Sequence, residues 1–181
     1  MRILNKFDKN SLIMDISWLV SIDNLDLINY NSMIKIKCTD CNIKYISNYP
    51  DSLIILDCSS NNLINLDNLP ISLKELDCSS NFITSLDNLP IGLKKLSCCS
   101  NKLRYLDCLP ESIEFLNCSS NCLVSLDNLS SKLKILSCVN CGLSTLDNLP
   151  IQLTKLDCEK NNFEKISNLP KLIEYYKITS N

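Results

Sequence analysis

The side chains most capable of chemistry in this sequence are its twelve cysteines. Two pairs, Cys38/Cys41 in "CTDC" and Cys138/Cys141 in "CVNC", have the C-x-x-C spacing that zinc sites use. Thiolates are also redox nucleophiles, so a zinc-binding or thiol-redox sensor is one function this composition offers. There is no histidine, which removes the commonest general base, and the two glycines form no phosphate-binding loop. No pair of carboxylates is set apart from the rest of the sequence as an acid–base couple. Catalysis, and with it any cofactor, is not expected.

What positions the cysteines is a repeat. With slots numbered from Asn31 in a 20-residue frame, Cys38, Cys58, Cys78, Cys98, Cys118, Cys138 and Cys158 all fall at slot eight. The frame runs to Asn181 without an insertion. Slots three and six are aliphatic in nearly every unit, from Met33 and Ile36 to Leu153 and Leu156, with Tyr176 in the last. Slot eleven is asparagine except at Cys41 and Cys141, slots thirteen, sixteen and nineteen are mostly aliphatic, and slot seventeen is commonly aspartate. Slot twenty is proline in six of the seven complete units.

Out–in alternation around slots five to nine predicts one short strand per unit, with slots six and eight facing inward. Strands stacked in parallel at about 4.8 Å make one continuous sheet. The return of about eleven residues is too short for a helix with two loops, and proline disfavours helix before it, so an extended convex side is expected. Asparagine at slot eleven carries donors and an acceptor for backbone groups buried in the tight coil. Asp67, Asp87, Asp107, Asp127 and Asp147 at slot seventeen are expected to cap local N–H groups in Asx turns.

This stacking decides the cysteine question. The two C-x-x-C pairs lie five units apart, roughly 24 Å, and cannot share an ion whose sulfurs sit at about 2.3 Å. Neighbouring slot-eight cysteines are near enough for disulfides, but their side chains run parallel into a core, where free thiols pack as small hydrophobes. Cys99, Cys108 and Cys122 fall outside the ladder, and Cys99 at slot nine is the one expected to be exposed and reactive.

The phrase L-x-x-L-x-C-x-x-N-x-L-x-x-L-D-N-L-P resembles the leucine-rich repeat. Its length and its "L-x-x-L-x-x-L-P" tail are similar to the short repeats of bacterial effectors and to repeat proteins of giant DNA viruses. The resemblance covers residues 31–181 and implies a right-handed curved superhelix, a repeat solenoid with a parallel concave β-sheet and a mostly extended, non-helical convex side. One departure is aspartate at slot seventeen, where effector repeats usually carry proline. Some effector-family members carry a ligase domain after the repeats; these residues include none, so that activity is not implied.

Residues 1–30 read as an N-terminal cap built on a degenerate first repeat, because "LVSIDNL" (Leu19–Leu25) echoes "LVSLDNL" (Leu123–Leu129). Residues 31–181 hold seven full units and a truncated eighth. Eighteen basic and twenty acidic residues give a net charge of −2, which argues against a nucleic-acid partner. No apolar run is long enough to span a membrane, and the N-terminus lacks the uninterrupted apolar stretch of a secretory signal. A cytoplasmic location is expected (host cytoplasm for a viral or effector-like protein), with the thiols reduced.

What remains is a recognition surface on the concave sheet. Slot five contributes Ile55, Glu75, Lys95, Phe115, Ile135, Lys155 and Tyr175, and slot seven contributes Asp57, Asp77, Asn117 and Asp157. Phe115 and Ile135 form an apolar centre with Lys95 and Lys155 beside it, the layout of a protein-binding site. The reading is a non-enzymatic protein-interaction module for a host or cellular protein, monomeric in itself. The alternative is a structural or self-assembling element that dimerises edge to edge through its C-terminal strand.

Overall fold

The computed structural model describes residues 8, 10–19, 22–163 and 169–177. Among these are eleven three-residue strands and no helix: β1 (Ile13–Asp15), β2 (Asn24–Asp26), β3 (Lys35–Lys37), β4 (Tyr45–Ser47), β5 (Ile55–Asp57), β6 (Glu75–Asp77), β7 (Lys95–Ser97), β8 (Phe115–Asn117), β9 (Ile135–Ser137), β10 (Lys155–Asp157) and β11 (Tyr175–Lys177). Nine of them form one parallel sheet in the order β1-β3-β5-β6-β7-β8-β9-β10-β11. From β3 onward each slot pairs with the same slot of the next unit, as in Leu56↔Leu76 and Leu76↔Leu96. The chain is a leucine-rich-type repeat solenoid with a parallel sheet and an extended return, as the periodicity predicts.

The strands are shorter than expected and occupy only slots five to seven, yet the ladder continues past them. Cys58 N–H donates to Asp77 O at 2.8 Å and Ser60 N–H to Ser79 O at 2.8 Å, so slots eight and ten are tied across units as well. At slot ten the backbone turns left-handed, with φ near 55° at Asp40, Ser60, Ser80, Ser120 and Asn140. Small polar residues tolerate that region best. Trp18 takes the equivalent place in the first coil at φ 68°. Each coil closes through a turn in which the slot-three N–H donates to the slot-twenty carbonyl, as Leu73 does to Pro70 O at 3.1 Å. Ser130 replaces proline in one unit; its buried hydroxyl donates to Glu111 O at 2.9 Å.

Two features were not in the sequence frame. Strand β1 adds a ninth rung, pairing with β3 so that Ile13 faces Lys35. On the convex side β2 and β4 form a separate two-stranded parallel sheet, while among the described residues the later returns form no strand pair and are joined by isolated backbone bonds such as Phe82 N–H to Leu63 O at 2.8 Å.

A single core follows the axis. Leucine, isoleucine and methionine at slots three and six from Met33 to Leu156, and all seven slot-eight cysteines, are essentially inaccessible. Slot sixteen is buried from Leu66 to Leu146, and slot nineteen packs against the core from the partly buried Leu69, Leu89 and Leu149. At about 25 cal/mol per Å² of apolar surface buried, this continuous column is the main stabilising term, and no unit can supply it alone.

Candidate protein-binding face

The face is only as well placed as the ladders behind it, and the asparagines are the strongest of these. Asn81 Nδ2 donates to the carbonyls of Cys58 (3.0 Å), Cys78 (3.1 Å) and Ser79 (3.2 Å), and its Oδ1 accepts from Leu63 N–H at 2.9 Å. Asn61, Asn101, Asn121 and Asn161 repeat the pattern. Cys41 and Cys141 keep only the donor half of this role. Cys41 Sγ donates to Ile16 O at 3.0 Å, and Cys141 Sγ to Cys118 O at 3.2 Å, the slot-eight carbonyl that an asparagine would reach. The two C-x-x-C spacings therefore arise where slot-eight and slot-eleven ladders meet.

All seven slot-eight thiols are free and fully buried. Burial pushes Cys58, Cys98 and Cys138 well above the ordinary thiol value, and Cys158 up to about 12. Cys118 is raised first by its hydrogen bond with Cys141, which correspondingly lowers Cys141. Among the described residues no three cysteines and carboxylates are grouped to hold a metal ion. Protonated buried thiols are poor nucleophiles, so the ladder is packing material. One expectation is corrected: Cys99 is half-buried, whereas Cys108 and Cys122 are exposed. Slot nine lies in the tightening turn just before the left-handed Ser100, whereas Cys122 at slot twelve and Cys108 at slot eighteen lie on the return and face outward.

Slots five and seven project from the concave side, as the alternation requires. Ile55, Glu75, Phe115 and Ile135 are half-buried; Lys95, Lys155 and Tyr175 are exposed. Asp57, Asp77, Asn117 and Asp157 of slot seven are half-buried. Phe115 and Ile135 are direct partners in the β8–β9 register, so the apolar pair is contiguous. Lys95 Nζ is engaged by Glu75 Oε1 at 2.7 Å. Along the sheet's outer margin Glu114 lies between Lys134 (2.7 Å) and Lys94 (3.8 Å), and its carboxyl is held below the usual range by the hydrogen bond from Lys134.

A second correction concerns the Asx turns. They form at slot seven: Asp77 Oδ1 accepts from Ser79 N–H at 3.0 Å, Asp57 from Ser59 at 3.2 Å, and Asn117 from Ser119 at 3.2 Å. At slot seventeen Asp67 instead accepts from the Asn65 side chain at 2.8 Å, and Asp87 from the Ser85 hydroxyl. The signal lay in the "D-C-S" and "N-C-S" triplets, in which the acceptor stands two residues before the capped amide.

A further feature was missed. A shallow cavity of about 470 Å³ lies on the concave sheet across β3 to β8, lined by Lys37, Ile55, Asp57, Asp77 and Ser97 and bounded by Phe115. Ile135, Lys155 and Tyr175 lie outside it.

A parallel sheet curved by repeats, with interior ladders and a varied concave surface, defines a solenoid of the leucine-rich class. No protein-family model and no curated protein matches the chain. Among solved structures, YopM, a leucine-rich effector protein from Yersinia pestis, superposes with a TM-score of 0.86 at 29% identity over 93% of this chain and 48% of that one. The leucine-rich repeat domain of a Shigella effector is 30% identical with a TM-score of 0.64, over 88% of this chain and 70% of that domain. The functional domain of InlJ from Listeria monocytogenes, described as including a cysteine ladder, shares the fold at 23% identity and a TM-score of 0.66. The chain belongs to the leucine-rich repeat family and is similar to its effector-type members. It spans about half the length of the YopM structure.

Proposed function

We propose that this chain is a non-catalytic protein-interaction module that binds a protein ligand of the host or cellular cytosol on its concave face. The observation that carries this reading is the contiguous, half-buried pair Phe115 and Ile135 in register on β8 and β9, rimmed by Asn117, Ser137, Lys95 and Lys155. Half-buried apolar side chains with a polar rim are what interface centres are built from. The ladders behind them hold the face rigid, so binding entails little change of shape. The test is capture from cytosolic extract by the immobilised chain and by the Phe115→Asp/Ile135→Asp double variant. The reading expects the variant to lose a specifically captured protein while its unfolding free energy in urea stays within about 1 kcal/mol of the parent. Equal capture by both contradicts it.

A second reading, self-assembly through strand β11, is favoured by one observation. Tyr176 is 56% exposed at slot six, where Leu136 and Leu156 are 1% and 0% exposed. Light scattering across a concentration series separates the two readings: a rising mass supports assembly, and a constant monomer mass removes it.

A further inference from the structure

The cavity on the concave sheet is lined by three lysines, Lys35, Lys37 and Lys95, and three carboxylates, Asp57, Glu75 and Asp77, and two of the carboxylates stand side by side. Asp57 and Asp77 are register partners on β5 and β6, so two carboxylates stand about 5 Å apart along the axis. Neighbouring Glu75 is neutralised by Lys95 at 2.7 Å. Lys37 on β3 is the register partner of Asp57 on the other side, yet no lysine or arginine among the described residues forms an ion pair with Asp57 or Asp77; their Oδ1 atoms accept from the amides of Ser59 and Ser79. Beside them the Ser79 hydroxyl is unpartnered although its residue is 8% exposed. Ordinarily like charges placed side by side on adjacent strands disfavour the sheet. Ile55 adjoins the pair on β5, and Phe115 closes the cavity two strands beyond Asp77, about 10 Å along the axis.

These features share one complement. A guanidinium or ammonium between the carboxylates relieves their repulsion, and arginine adds a fork of donors suited to two acceptors. An apolar side chain about 10 Å further on covers Phe115. A metal ion is not accommodated, because no third ligand stands with the carboxylates among the described residues. We propose that the partner presents a basic–apolar segment, with an arginine or lysine seated between Asp57 and Asp77 and an apolar side chain against Phe115. This inference rests on the protein-binding reading above and adds the chemistry of the partner.

A random displayed-peptide library panned against the whole chain tests it, with affinities of enriched peptides then measured by fluorescence anisotropy. Asp57→Asn/Asp77→Asn removes the charge and keeps the turn bonds, because Asn117 already makes the same bond at slot seven. The expected result is enrichment of peptides with arginine or lysine spaced from an apolar residue. Their affinity falls at least about tenfold on the double asparagine variant and weakens with added salt. Basic peptides that bind that variant equally well overturn the proposal. Enriched acidic or neutral peptides that are lost on Phe115→Asp/Ile135→Asp overturn the charge assignment and leave the concave-face reading standing. Enriched peptides indifferent to both double variants, or no enrichment, count against both.

Discussion

Two rows of aspartates run along this solenoid ten residues out of phase, and they differ in a way their residue type does not reveal. The slot-seventeen row is the more regular, with Asp67, Asp87, Asp107, Asp127 and Asp147 in five successive units. It lies on the convex return, where Asp67 accepts from a neighbouring side chain at 2.8 Å. The slot-seven row is broken: Lys37, Asp57, Asp77, Ser97, Asn117, Ser137, Asp157, Lys177. At Asp57 and Asp77 it faces the concave cavity and caps the turns beneath. Regularity in a repeat protein marks what every coil needs. Irregularity at an outward slot marks where the coils are free to differ, and that is where a partner is read.

The comparison breaks most visibly in the interior, where the regular rows are densest in bonds. Asn81→Ala removes an amide making four buried hydrogen bonds, with an expected loss of about 3 kcal/mol or more in urea unfolding. Asn81→Cys is expected to cost less, because the thiols of Cys41 and Cys141 already supply the donor at slot eleven.

The cysteine row gives a pH signature. Below the ordinary thiol value, about 8.5, folded and unfolded chains both hold their thiol protons and the ladder's contribution is intact. As pH rises above it the unfolded chain releases protons that the buried, raised thiols retain, so stability falls by up to about 1.4 kcal/mol per pH unit for each such thiol. The fall continues until the folded thiols ionise, for Cys158 at about 12. A urea midpoint flat from neutral pH to about 8 and steeply lower beyond is the expected profile, and a shallower one in Cys98→Val confirms its source.

Smaller is the effect of a local irregularity inside the core. Tyr49 stands at slot nineteen, where the other units have leucine, and its buried hydroxyl has no hydrogen-bond partner. Tyr49→Phe is expected to raise thermal stability by about 1 kcal/mol, since it deletes an unsatisfied group without changing shape. Least of all, Asp87→Asn and Asp77→Asn should each lie within about 0.5 kcal/mol of the parent chain. Only the second should alter peptide binding.

Much of this architecture was legible because inward slots repeat without slip. From β3 onward, the register of the sheet, the buried cysteines and the asparagine ladder all follow from one frame. Strand β1 escaped because Ile13 pairs with Lys35 across twenty-two residues, which shifts the first coil out of the frame. The convex pairing of β2 with β4 had no periodic signal, since among the described residues the later returns with similar sequences form no strand pair. Cys99 was misjudged because slot nine alternates outward on paper, but the left-handed turn at Ser100, φ 54°, draws it into the coil's edge. The apolar centre at Phe115 and Ile135 was readable as adjacent members of slot five. The cavity beside it was not, because it depends on the curvature of the sheet.

Carboxylate labelling by a carbodiimide and an amine, read by peptide mass spectrometry with and without a saturating enriched peptide, tests the central claim most directly. The peptide is expected to protect Asp57 and Asp77 and to leave Asp67 and Asp87 labelled as in the free chain. Protection of Asp67 and Asp87 with Asp57 and Asp77 unchanged would place recognition on the convex side and contradict that claim.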